Sequence, residues 1–495
     1  MKIEPIYHWL IWSFSIFYSL YNFKNSCEYH PSISPGDFIK GWSILHPLMK
    51  DNSDIEWVYL TSTFKKYYVF FLFQVAGTQI LSRITRTIIP YFYTLLSLTC
   101  LTFILGYQAA LAFILYPVCM FIIHTRGEKA FCYILTITSL LLIHHPQYHI
   151  LKRNFTMGVQ ESFLFDVALA WLILKSLSFA IDRIDAKIYK NLEILEFFSI
   201  LAYSLYLPVV FTGPVINYKT FHRQMLKTAQ PLSLKKLILR ICHLLKMIFW
   251  YFFYEFLLHF IYSSAVQFYP HEVKNFDSWA LCGLGYALPM MFFLKYFVTY
   301  GVPKAIAKLE DIELPPPPKC ISCIHLSSFL WRHFDRGLYL WLLRYLYYPA
   351  INNEWTFLRK IYALYLCFGF VCLWHGLDKS ICLSSAINYA LVVSEILTKF
   401  LLTTKVGHYF EKIPAAMRSR ISAAFVTPHF LMMCISCCFF LSNFDIGMIL
   451  IKHTILGGII PLLPLLLIMY CGCHGLMVNP NNVALNPSKY IYFRK

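Results

Sequence analysis

Trp331-Arg332-His333-Phe334-Asp335-Arg336-Gly337-Leu338 opens the stretch on which the reading of this chain turns. It continues through Leu342-Leu343-Arg344-Tyr345-Leu346-Tyr347-Tyr348-Pro349. After the apolar run Ile361–Val371 it ends at Leu373-Trp374-His375-Gly376. One carboxylate, Asp335, and one imidazole, His375, therefore stand at hydrophobic borders. An ionisable group at membrane depth is costly, and its default reading is functional. The same residues in loops at a bilayer surface would be ordinary, and charge placement alone does not separate the two readings.

Outward from this stretch, the composition leaves one fold class. Of 495 residues, 58% are hydrophobic and only 14% charged. Apolar runs of roughly 18 residues or more recur along the chain, each long enough to cross a bilayer as a helix. The expectation is an all-α polytopic membrane protein, a single integral domain over 1–495. It has about 10–12 transmembrane helices by length, with re-entrant segments around a central cavity. The formal charge of +18 is spread over many short loops and not gathered in one basic domain. Anionic lipid head groups and the positive-inside rule account for that spread better than nucleic acid does, so no nucleic-acid partner is expected. The sixteen cysteines show no regular spacing. Cys320-x-x-Cys323, Cys434-x-x-Cys437-Cys438 and Cys471-Gly472-Cys473-His474 have metal-like spacing, but no second Cys/His pair follows at zinc-finger distance.

In chain order, an apolar segment over 9–22 reads as a retained first span, with no cleavage site after it. The loop 23–65 holds the most acidic patch, Lys50-Asp51-Asn52-Ser53-Asp54-Ile55-Glu56-Trp57. It is placed on the lumenal side and read as largely solvated. Spans follow near 67–82, 88–106, 108–124, 130–145 and 161–180, with a charged link from Asp182 to Lys190. The sequon Asn154-Phe155-Thr156 follows Lys152 and Arg153, so it is expected to be cytosolic and unused. The span 195–211 breaks at Pro208, Gly213 and Pro214. Broken backbone at that depth is tolerated where it is buried in protein or lines a cavity. A basic amphipathic link covers 217–225, and a long helix covers 234–263. The span 279–300 is expected to end at Gly301-Val302-Pro303. Prolines 315–318 introduce Lys319-Cys320, and 320–350 is too polar for a lipid-facing span. After His375 come spans at 381–402, 421–443 and 446–470, separated by a basic loop, His408–Arg420. The polar tail 476–495 ends in Arg494-Lys495.

The chemistry legible in the residues is proton transfer. Histidine titrates near neutral pH and suits a general base; Asp335 can orient it. A site that excludes water favours acyl transfer to an amine or hydroxyl over hydrolysis of a thioester, and nearby Arg and Lys suit an anionic carrier such as coenzyme A.

Trp331-Arg332-His333-Phe334-Asp335, Leu343–Pro349 and Trp374-His375-Gly376 together resemble the core of the membrane-bound O-acyltransferase family. Lys50–Trp57, the Tyr206–Pro214 turn, Lys295–Pro303 and the prolines before Lys319-Cys320 make the chain similar to its hedgehog acyltransferase subfamily. The resemblance spans about 50–376. It implies a catalytic core over 320–376 in a multi-pass enzyme of the endoplasmic reticulum or Golgi membrane. It implies transfer of palmitate from palmitoyl-CoA to the N-terminal cysteine of a secreted hedgehog-type protein. His375 falls on the signature histidine and Asp335 on its acidic partner. By their own chemistry, Trp331, large and flat beside the polar cluster, is a candidate to close an acyl channel, and Arg332 and Arg344 are candidates for the phosphates of coenzyme A. Each also has a plain structural role open to it: packing for Trp331, and ion pairing with Asp335 or helix-end carbonyls for the arginines. Cys320 falls on a position associated with axial ligation of a haem b iron; a lone Cys is more often a packed side chain. Two other readings stand beside this one. One is O-acylation of a serine or lipid hydroxyl, separable by a substrate peptide with its N-terminal amine blocked. The other is a non-catalytic membrane regulator or transporter, against which stand the retained histidine and the lack of a visible duplication.

Overall fold

The computed structural model describes residues 3–28, 35–188, 193–227 and 233–478. Part of the 23–65 loop, Lys190 and the tail from Asn479 lie outside the described residues.

Helix α1 (Ile3–Glu28) leads into a short antiparallel hairpin, β1 (Phe38–Lys40) and β2 (Met49–Asp51), in which Phe38 faces Asp51. Helices α2 (Ile55–Ile84), α3 (Ile89–Leu105), α4 (Tyr107–Ile123), α5 (Lys129–Ile143) and the short α6 (Pro146–Lys152) follow. Then come α7 (Val159–Asp185), α8 (Ile194–Ser204), α9 (Tyr218–Met225) and α10 (Leu234–Leu257). After the single turns α11 (Ser263–Val266) and α12 (Pro270–Val273) runs α13 (Ser278–Leu309). The polar core segment folds as α14 (Ser327–Phe334), α15 (Arg336–Leu342), a π-helical turn (Leu343–Tyr347) and α16 (Tyr348–Ile351). Helices α17 (Phe357–His375), α18 (Lys379–Leu401), α19 (Lys405–Lys412), α20 (Ala415–Leu441), α21 (Phe444–Thr454) and α22 (Ile459–Val478) complete the bundle. Among the described residues nine helices are long and apolar enough to cross a membrane, and α5 and α8 are shorter apolar helices.

The bundle is built around α7 and α13. The C-terminal half of α7 is buried from Trp171 to Ile184, packed by α4, α5, α8 and α9. Helix α13 is flanked by α1, α10 and α20. Helix α8 stops at Ser204, ahead of Pro208. The Lys175 ammonium, buried on α7, donates to the Ser204 and Val209 carbonyls at 3.3 and 3.1 Å. It thereby satisfies acceptors that the broken helix leaves over, as an apolar interior requires.

Four sequence expectations are corrected. Helix α13 does not end at Gly301-Val302-Pro303 but continues to Leu309 with Pro289 and Pro303 inside it. Close packing holds it there: a Cβ on Gly301 would lie 2.1 Å from Met247 Sδ on α10. The basic loop 408–420 is helical, in α19 and the first turns of α20. The single span 446–470 is two helices parted at Gly457-Gly458, where Gly458 has φ +94°. Finally, the chain is already helical from Ile55, with a kink at Tyr67 where the expected span starts, and much of Lys50–Trp57 is folded onto the bundle instead of being solvated. Asp51 is buried, its Oδ2 accepting from the Ser264 and Ala265 amides. Burial pushes its carboxyl up to about 6, against the pull of the Ser53 and Ala265 amides.

Candidate active site

Asp335 terminates α14 and caps α15. Its Oδ1 accepts the Leu338 amide at 2.8 Å, the bond expected of an N-cap aspartate. Its Oδ2 accepts the Tyr300 hydroxyl of α13 at 2.8 Å. Both carboxylate oxygens are thus held. The start of α15 also presses against the Gly213-Pro214 turn: a Cβ on Gly337 would meet the Val215 carbonyl at 2.4 Å. Two separated motifs, the broken end of α8 and the Asp335 segment, therefore meet backbone to backbone.

His375 is the last residue of α17. Gly376 follows in the left-handed region with φ +111°, and Leu377 donates back to the Cys372 carbonyl at 3.1 Å. This glycine-terminated end is why the imidazole sits at the helix mouth and not along its wall. The ring is exposed and makes no hydrogen bond with the described residues. Aromatic edges hold it, with Trp374 at 4.6 Å and Phe440 at 4.9 Å between centroids. Trp374 is fixed in turn by Trp171 at 4.9 Å and by its Nε1 donating to the Ala170 carbonyl.

Phe440, on α20, links the pieces. Its ring also stands perpendicular to Trp331 at 6.3 Å, and Trp331 meets Phe368 of α17 at 5.8 Å. Trp331, Phe334 and Phe440 wall a narrow space of about 60 Å³. On one side it shares Pro289, Ile321, Leu330 and Cys437 with an apolar cavity of about 170 Å³ between α1, α13, α20 and α22. On the other it shares Phe292, Phe440 and Leu441 with a more polar chamber of about 250 Å³ that holds Asp54 and Lys295. Asp335 follows Phe334 in the chain and His375 packs on Phe440, two residues of the neck wall; neither lines the neck itself, and no hydrogen bond joins them.

The acidic stretch supports this neck from α13. Lys295 Nζ lies 2.8 Å from both Asp54 and Glu56. Glu56 accepts the Tyr296 hydroxyl at 2.9 Å, and Tyr296 packs on Tyr300, the partner of Asp335. Lys50 pairs with Glu255, which also accepts the Trp57 indole N–H at 2.7 Å.

The other sequence candidates separate. Trp331 lies in the neck wall, its indole nitrogen buried without a hydrogen-bond partner. The Arg332 and Arg336 guanidiniums stand over Tyr339 at 5.9 and 5.2 Å. Arg344 is turned away to Asp182 on α7, with a 2.5 Å ion pair. Its alternative role as an ion-pairing residue is thus present, but with Asp182 and not Asp335. Cys320 is exposed, its Sγ 2.9 Å from Ser322 Oγ. Its neighbours Ile321 and Ser322 wall the adjoining apolar cavity. No step below is routed through a haem.

Sequence reasoning missed Tyr300, Phe440 and His144. His144 follows α5, donates from Nε2 to the Leu373 carbonyl at 3.1 Å, and lies within 3.5 Å of the space a Cβ on Gly376 would take. The His144-His145-Pro146 run at a span end was a signal for it. Tyr300 and Phe440 are aromatics in aromatic-rich spans and carry none.

The model of the membrane-bound O-acyltransferase family matches residues 128–443. Protein-cysteine N-palmitoyltransferase HHAT of Mus musculus is 25% identical over 402 residues, 79% of each chain. Protein-cysteine N-palmitoyltransferase Rasp of Drosophila melanogaster is 27% identical over 319 residues, 64% of this chain and 62% of that one. Membrane-bound O-acyltransferase gup1 of Schizosaccharomyces pombe is 26% identical over 182 residues, 36% of this chain and 29% of its own.

Proposed function

We propose that this chain, which belongs to the membrane-bound O-acyltransferase family and is an acyltransferase, moves palmitate from palmitoyl-CoA to the N-terminal cysteine amine of a secreted hedgehog-type protein. Its place would be the endoplasmic-reticulum membrane. The observation that supports this reading is the aromatic neck. It has an apolar cavity on one side, a polar chamber on the other, and His375 and Asp335 beside it. The names of the two palmitoyltransferase relatives supply the acyl group and the acceptor class.

In this reading the acyl chain lies in the apolar cavity and its thioester carbonyl reaches the neck. The acceptor amine enters from the polar chamber. His375 takes a proton from the amine as nitrogen attacks the carbonyl carbon. The C–N bond forms, the C–S bond breaks, and the proton passes to the departing thiolate to give free coenzyme A. Asp335, held by Leu338 and Tyr300, is the positioning carboxylate. Trp331 and Arg332 meet the acyl-CoA at the neck. Arg344 acts on it indirectly, by tying the core segment to α7 through Asp182. The aromatic wall limits the water that reaches the thioester, which favours transfer over hydrolysis.

The test is palmitoyl transfer by detergent-purified protein to a peptide with N-terminal Cys. Expected is an amide that survives hydroxylamine, lost when the peptide amine is blocked. Ester formation on a blocked peptide or on a lipid hydroxyl would instead establish O-acylation, the chemistry in the name of the gup1 relative. No product with any acceptor would overturn the reading.

A further inference from the structure

Far from the neck, α1 and α22 meet through a cluster that the acyl chemistry does not use. Glu4 and His8 lie one helical turn apart on α1, and such a pair shares a face. His474 of α22 lies opposite, its Nδ1 2.8 Å from His8 Nδ1 across 466 positions of sequence. A carboxylate oxygen of Glu4 and one nitrogen from each ring lie within 4.8 Å of one another. His474 is only 2% exposed, while Glu4 and His8 are half-buried.

The surroundings hold each donor in place. His474 Nε2 faces Ser419 Oγ at 3.4 Å, so a proton on Nε2 leaves the Nδ1 lone pair facing His8 and open to a metal. Tyr470 stacks on the His474 ring, with centroids 5.8 Å apart and planes at 16°. Arg420 grips Glu4 through two bonds of 2.8 and 2.7 Å, which fixes the carboxylate. Outer contacts of this kind orient metal ligands and set the tautomer of ligating histidines.

We infer that Glu4, His8 and His474 form a binding site for a divalent transition metal of the zinc class, clipping the first helix to the last. Two imidazoles and one carboxylate are a zinc-type donor set that leaves a fourth position for water. Metal–nitrogen bonds of about 2.0–2.1 Å in tetrahedral geometry need the two Nδ1 atoms about half an ångström further apart than they stand, which small side-chain rotations supply. Both rings bind as neutral imidazoles, so loading releases any proton they carry. The clip bears on the acyl cavity, because α1 contributes Trp12 and Ile16 to its wall and α22 contributes Leu465 and Met469.

The experiment uses the full chain purified in detergent, dialysed against Zn2+ and then against buffer. Metal content is read by mass spectrometry and thermal unfolding is followed with and without chelator. The expected result is one tightly held Zn2+ per chain and a Tm several degrees higher with metal than with chelator. In His8→Ala and Glu4→Gln the affinity falls at least tenfold and the Tm difference vanishes. His474→Gln tests the buried ligand; should it fail to fold, His8→Ala decides, since that ring is only half-buried. A Co2+-loaded wild type with tetrahedral visible absorption bands, absent from His8→Ala, supports the same donor set. Wild-type protein that holds no zinc overturns the site. So does a His8→Ala variant that holds it as well as wild type, which would place the metal on cysteines elsewhere.

Discussion

Asp335 and His375 each adjoin a wall residue of the neck, Phe334 and Phe440, yet they are held in opposite ways. The carboxylate is fastened at both oxygens, by a helix-start amide and by Tyr300, and behind Tyr300 stands the Lys295 cluster with Asp54 and Glu56. The imidazole makes no hydrogen bond with the described residues and is held only by the edges of Trp374 and Phe440. A group that must pick up and release a proton needs free nitrogens. A group that sets geometry needs fixed ones. In the proposed reading this difference gives the chemistry to the His375 side and the positioning to the Asp335 side.

The sharpest way to break this division is at the imidazole. His375→Ala is expected to lower palmitoyl transfer about 10²- to 10⁴-fold, the contribution of a positioned general base. Tm should change little, because only ring-edge contacts are lost. Full activity in that variant would remove the proposed chemistry.

Next comes the brace behind the carboxylate. Lys295→Met leaves Asp54 and Glu56 without their cation in a largely buried setting. Breaking such a pair costs about 3–5 kcal/mol. Chemical or thermal unfolding in detergent should show that loss, and activity should fall with it. If stability is unchanged, the acidic stretch does not brace the neck.

Asp335 itself separates the two roles within one residue. Asp335→Asn keeps a good helix cap, so stability should hold while transfer falls about tenfold or more, in kcat rather than KM. Asp335→Ala should in addition lose about 1 kcal/mol from the cap. Equal activity losses accompanied by equal stability losses would make Asp335 a structural residue only.

The smallest expected effect is at the wall. Phe440→Leu should leave the fold intact and open the neck. The ratio of palmitoyl-CoA hydrolysis to transfer should rise a few-fold, measured as free palmitate against acylated peptide. An unchanged ratio would mean that Phe440 packs without sealing.

Much of this was legible in the chain, for identifiable reasons. Asp335 and His375 stood out because charge is rare in apolar sequence, and the Trp-His-Gly and proline signals mark helix ends locally. The break at Pro208 was legible for the same local reason. Pro303 misled because the loss of one backbone bond was outweighed by Gly301 packing on Met247, a contact between helices. Lys50–Trp57 looked solvated because nothing in the stretch names its partners. Those partners, Lys295 and Glu255, lie some 200 positions or more away.

The sequence by itself determined the class of molecule and the broken helix and marked Asp335 and His375 as candidate groups, since hydropathy and backbone breakers act over a few residues. Only the tertiary structure decided that Phe440 joins His375 to Trp331, that Tyr300 holds Asp335, that Arg344 belongs to Asp182, and that the first helix meets the last at three metal-type donors. Those choices depend on which helix faces pack together. In a chain this uniformly apolar many faces look alike in sequence, and only the close fit of side chains in three dimensions tells them apart.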